Sequence, residues 1–80
     1  MVRNLEKVIK KILFSSHPML QNISIVLSTG RAKYMIVFYH KPSHIITGKE
    51  KNAITHELRT LLRMLGENEN EFETEFMVGF

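Results

Sequence analysis

The chain has 80 residues, no cysteine and a formal net charge of +3 at pH 7. That length makes a single domain, residues 1–80, small enough to bury only about 60% of its unfolded surface. A disulfide framework and a thiolate metal site are excluded, and the longest apolar runs, Tyr34–Tyr39 and Ile23–Leu27, are far too short to span a membrane.

The N-terminus reaches charge at Glu6 and has no long apolar run of the signal-peptide kind. The expectation is a soluble, cytoplasmic protein without a membrane partner. The charge is divided along the chain. All eleven basic residues fall in 1–63 against Glu6, Glu50 and Glu57, a net +8. Residues 64–80 hold no basic residue and five glutamates, Glu67, Glu69, Glu71, Glu73 and Glu75. Such sorting fits a nucleic-acid or acidic partner beside an acidic edge. It also fits ordinary solvated faces.

Residues 4–14 read as an amphipathic helix. Leu5, Val8, Ile9, Ile12 and Leu13 form one stripe at helical spacing, with Glu6, Lys7, Lys10 and Lys11 off it. The helix stops at Ser15–Pro18, because the residue before a proline is pushed out of the α region. Residues 21–28 form a first strand in which Ile23, Ile25 and Leu27 alternate with Ser24 and Ser28. Ser28–Arg31 is read as a tight turn, with Gly30 free to take positive φ.

Arg31–Lys41, RAKYMIVFYHK, is apolar on both alternating sets and is therefore the central strand. Paired with the first strand, it makes an antiparallel hairpin. Thr47 and Glu50 have the spacing of a capping box, opening a helix that runs to Leu65 with Gly66 at its C′ position. Its stripe is Ile54, Leu58, Leu61, Leu62 and Leu65. Residues 71–80 alternate: Phe72, Thr74, Phe76, Val78 and Phe80 face one way, and Glu71, Glu73 and Glu75 the other.

The order is α-β-β-α-β, an α+β fold. A right-handed crossover through the second helix brings the last strand parallel to the central one. The expected product is a three-stranded mixed sheet with both helices on one face. The opposite face then bears Val26, Met35, Val37, Tyr39 and Met77, an apolar patch that a monomer seldom leaves bare. These five residues are a candidate interface, for a homodimer or another protein.

The segments HPMLQNISIVLSTGRAKYMIVFYH, AITHELRTLLRML and EFETEFMV, on this basic chain, resemble in layout the KH-like type II domains of the ribosome-binding factor A family. That resemblance implies a non-enzymatic, ribosome-associated RNA-binding module active in ribosome biogenesis. The chain has no Gly-x-x-Gly loop of the KH kind.

Other signals are weighed on chemistry. His56–Thr60, HELRT, resembles the box around the phosphoacceptor histidine of sensor kinases, with Leu61 where proline is usual. His40, His44 and His56 are placed near one end of the central strand, without the spacing of a metal site. Pro42–Ser43–His44 is similar to the serine–histidine pair of HicA-type toxins, and a histidine there has the chemistry for acid–base work on RNA. The blander reading of each is an exposed histidine, and neither a catalytic residue, a metal nor a cofactor is assigned.

Tyr34 and Tyr39 interleave with Lys33, His40 and Lys41, which suits base stacking beside phosphate contacts as well as core packing. The leading expectation is thus a nucleic-acid-binding module, RNA before DNA, with Arg31, Lys33, Lys41, Lys49, Arg59 and Arg63 on phosphate. The alternative is a protein-interaction module, a homodimer, small adaptor or inhibitor, using the exposed sheet face. A continuous basic surface favours the first; scattered charges around an apolar patch favour the second.

Overall fold

The structure, a computed structural model, describes residues 4–79. Phe80, expected on the core side of the last strand, lies outside the described residues. The elements are α1 (Leu5–Ser16), β1 (Leu20–Leu27), β2 (Tyr34–His40), α2 (Gly48–Met64), a 3₁₀ turn (Glu69–Glu71) and β3 (Phe72–Val78). The sheet order is β1-β2-β3, with β1 antiparallel and β3 parallel to the central β2. The α-β-β-α-β order, the mixed sheet and the single helical layer are those expected from the sequence.

Both helices bury their stripes against one face. Leu5, Ile9 and Leu13 of α1 and Ile54, Leu58, Leu61 and Leu62 of α2 share one core with Leu20, Ile23, Ile36, Phe38 and Phe72. The parallel register sets Tyr34 beside Phe72 and Phe38 beside Phe76. Their rings stack at 5.3 and 5.5 Å, each pair adding about 0.5–1.5 kcal/mol beyond the area it buries. A register shift between Leu20 and Asn22 makes a bulge at Gln21. The extra residue lets Leu20 and Ile23, three apart, both point into the core.

The ends of α2 are as the sequence spells them. Thr47 Oγ1 accepts from the Glu50 N–H, and Glu50 Oε1 accepts from the Thr47 N–H. Gly66 takes φ +79. Its N–H donates to Arg63 O, and the Glu67 N–H to Leu62 O, which closes a Schellman motif.

Four expectations change. The β1–β2 connection is not a tight turn but a six-residue loop, 28–33, closed by Ser28 N–H to Lys33 O at 3.0 Å. Arg31 and Lys33 therefore lie in a loop and not on the central strand. Gly30 does not take positive φ; its role is room, since a Cβ there would sit 3.0 Å from Glu73 Oε2. Three stripe residues are out of the core: Leu27 at 75% exposed, Ile12 at 47% and Leu65 at 43%. Leu27 lies beyond Ile25, whose N–H meets Glu6 in the first turn of α1, Ile12 sits on the flank between the helices, and Leu65 is the C-cap.

Candidate interaction surface

The face of the sheet away from the helices is built by register. Its rows are Val26–Met35–Glu73, Ser24–Val37–Glu75 and Asn22–Tyr39–Met77. The five residues expected on it from the sequence are brought together. Val26 and Met77 are about half exposed, Met35 and Tyr39 are half-buried, and Val37 is only 7% exposed. Val37 stands at the middle of the central strand and its row and column neighbours screen it. At one end, Gln21, Asn22, Tyr39, Met77, Val78 and Gly79 line an open hollow that crosses all three strands.

No lysine or arginine lies within any of the three strands. The six expected phosphate contacts are all exposed or half-exposed, and they are divided between the two ends of β2 and the second helix. Arg31 and Lys33 are in the loop before β2. Lys41 follows β2, at the other end of a seven-residue strand, about 26 Å from Lys33 along the chain. Lys49, Arg59 and Arg63 are on α2, in the helical layer. The Lys33 ammonium lies 5.4 Å from the ring of Tyr34, which belongs to the helix side.

Arg59 and Arg63 are already engaged. Arg59 Nε lies 3.0 Å from Glu69 Oε1, and Arg63 Nη1 lies 2.9 Å from Glu69 Oε2. Arg59 also donates to Asn70 Oδ1 and Arg63 to Thr60 Oγ1. One turn of helix puts the two guanidinium groups on one flank, and the 3₁₀ turn delivers a single carboxylate between them.

Glu73 has a comparable structural task. Its Oε2 accepts from the Ser28 hydroxyl at 3.0 Å and from the Ala32 N–H at 3.2 Å. The carboxylate is seated in the β1–β2 loop, with Gly30 making the room.

The histidines do not gather. His40 is buried, with Nδ1 3.1 Å from the Lys41 carbonyl oxygen. His44 Nε2 lies 3.1 Å from both oxygens of Glu50. His56 lines a groove between the helices with Ile12, Glu57, Leu61 and Met64. Nearby, His17 Nε2 is buried 3.1 Å from Glu57 Oε2, out of line for a hydrogen bond. Among the described residues, no three His, Cys, Asp or Glu side chains group to hold a metal ion. Ser43 and His44 adjoin Pro18, Met19 and Lys41 in a shallow hollow. The His44–Glu50 pair there is part of the helix cap. Glu50 is held below its ordinary value of 4.5, first by the Thr47 N–H and then by His44.

Comparison with protein-family models, with curated proteins and with solved structures found no match. The residues and their geometry therefore carry the functional reading. Among the described residues, no helix is long and apolar enough to cross a membrane. Two features were not read from the sequence: Glu69 between the two arginines, and Glu73 in the loop. The first signal was available as Arg59, Arg63 and a nearby glutamate, but the length of the intervening turn was not.

Proposed function

We propose that this chain is a non-enzymatic protein-interaction module whose working surface is the open face of the sheet. One observation carries this reading: Val26, Met35, Val37, Tyr39 and Met77 share a face that no described element covers, its charged members are Glu73 and Glu75, and no strand contains a lysine or arginine. A polyanion meets carboxylates there, whereas a protein surface finds apolar side chains with a polar rim. The test is photo-crosslinking from a benzophenone amino acid placed at position 26 or 77, in the cells that make the chain. Adducts to protein are expected. Adducts to RNA from those positions would remove the reading.

A second reading, RNA binding, has its own support. Arg31 and Lys33 are exposed on a loop that Glu73 pins in place, and Lys33 sits beside Tyr34. That places cations next to an aromatic ring, the pairing that single-stranded RNA uses. The layout-level resemblance to KH-like type II domains points the same way. The same crosslinker at position 31 tests it, with RNA adducts as the expected result.

A further inference from the structure

The two edges of the sheet are finished differently. On β1, the N–H groups of Ile23 and Ile25 point away from β2, and each has a side-chain acceptor. Asn22 Oδ1 accepts from Ile23 at 2.9 Å, and Glu6 Oε2 accepts from Ile25 at 3.0 Å. Two successive outward donors of this edge are therefore already taken.

On β3 one hydrogen bond reveals the parity. The Gly79 N–H donates to His40 O at 2.8 Å, and His40 stands opposite Val78. In a parallel ladder a residue bonds to the neighbours on either side of its partner. Residues 73, 75, 77 and 79 therefore turn their backbone groups toward β2. Phe72, Thr74, Phe76 and Val78 turn theirs outward. The Phe72 N–H is taken by Glu69 O. The outward N–H and C=O groups of Thr74, Phe76 and Val78 have no partner among the described residues. Exposed groups of this kind are a template for one more strand.

The side chains beside the edge state what that strand must carry. On the open face they are Glu73, Glu75 and Met77, and Glu75 has no ion-pair partner among the described residues. On the helix side they are Thr74, whose hydroxyl meets that of Thr55, Phe76, with the Lys51 ammonium 5.9 Å from its ring centroid, and the half-exposed Val78. A strand alternating basic and apolar residues matches both. A second copy of β3 matches poorly in a two-fold pairing centred on residues 75–76, which puts Glu75 of both strands on the same face as opposite or diagonal neighbours.

We propose that β3 is a docking edge, extended into a fourth strand by a segment of another protein that alternates lysine or arginine with apolar residues. This rests on the protein-interaction reading and names the partner's chemistry.

The probe is a capped octapeptide of alternating lysine and valine, titrated into the full chain at low and moderate salt and followed by backbone amide shifts. Shifts centred on Thr74, Phe76 and Val78 are expected, with slowed exchange of those amides. Thr74→Pro removes an outward N–H and leaves the bonds to β2 intact, as edge prolines do, with Thr74→Val as the control for loss of the hydroxyl that meets Thr55. It should weaken binding about tenfold, the effect of one lost backbone hydrogen bond and its stranded partner. Glu75→Lys should weaken it as well. A peptide N-methylated on its β3-facing amides should not bind, which checks the edge without altering the protein.

Binding indifferent to N-methylation and to Thr74→Pro would be charge attraction alone and would overturn the proposal. So would shifts confined to Val26 and Met35. A dimer that Thr74→Pro abolishes would make the occupant a second copy and would also overturn it. Failure of the peptide with protein adducts still forming at position 77 would remove the edge and leave the open-face reading. RNA adducts at that position would remove both.

Discussion

Glu73 on the last strand accepts a hydrogen bond from the Ser28 hydroxyl at 3.0 Å, forty-five residues earlier in the chain. The same oxygen accepts from the Ala32 N–H. A glutamate that reads as one wet tooth of an acidic strand is thus the anchor of the loop that carries Arg31 and Lys33.

Replacing Glu73 by alanine should free that loop. Two donors lose their acceptor at a half-buried site, so the cost is about 1–3 kcal/mol. Denaturant unfolding measures the loss, and the Ala32 amide should exchange faster than the Ile36 amide, which stays in the ladder. Unchanged exchange at Ala32 would refute the anchoring role.

The arginine pair makes a second prediction. Because Arg59 and Arg63 share Glu69, Arg59→Ala with Arg63→Ala should leave the salt dependence of any RNA affinity almost unchanged. Glu69→Gln should instead release both guanidinium groups and steepen the slope of log K on log salt by up to about two, roughly one per new phosphate contact. The same change should lower stability by about 1 kcal/mol per pair, since the two arginines are about half exposed. A salt series on wild type and both variants decides it.

The helix cap supplies a pH dependence. The carboxyl of Glu50 is held low by the Thr47 N–H and by His44. A group whose folded pKa is depressed stabilises the fold above its unfolded pKa and loses that contribution as pH falls through the folded one. Stability should therefore drop below about pH 4.5, and Glu50→Gln should flatten that limb. Thr47→Ala, which removes the other half of the box, should cost about 1 kcal/mol. Thermal melts from pH 3 to 7 would show both; an acid limb unchanged in Glu50→Gln would contradict the assignment.

Association through the open face can be probed only from its rim. Val37 is 7% exposed, so Val37→Asp buries a charge and should unfold the domain whatever its partners. Met77, at 49%, can be changed to aspartate at a cost within about 0.5 kcal/mol, as is usual for exposed positions. If copies of the chain associate through this face, sedimentation at micromolar concentration should show Met77→Asp shifting the population to monomer. Association unaffected by Met77→Asp would place the contact elsewhere.

The fold was legible because its strongest signals are local. The Thr47–Glu50 box, Gly66 and the alternation of 72–78 each determine backbone geometry within a few residues. Parallel pairing followed from chain order and the handedness of crossovers. What failed depended on contacts distant in sequence. Gly30 looked like a turn residue until Glu73, on another strand, was seen filling the space beside it. Ile12 kept perfect helical spacing, yet it lines the open groove between the helices and stays about half exposed. The candidate face was found because alternation assigns a side to each residue. The engagement of Arg59 and Arg63 was not, because charge counting along a segment ignores what a turn brings back.

The parallel pairing of β2 with β3 also bears on how the chain comes together in time. Every β2 residue has its β1 partner within twenty residues, but its β3 partner lies thirty-eight residues further on. The hairpin can form as soon as it is made, whereas the second edge of an apolar strand stays open until α2 has been spanned and the loop closed. A nascent or truncated chain ending near Gly66 carries Met35, Val37 and Tyr39 on a strand with a free edge, the arrangement most prone to pair with a neighbour. The acidic strand that arrives last is therefore the one that ends that exposure.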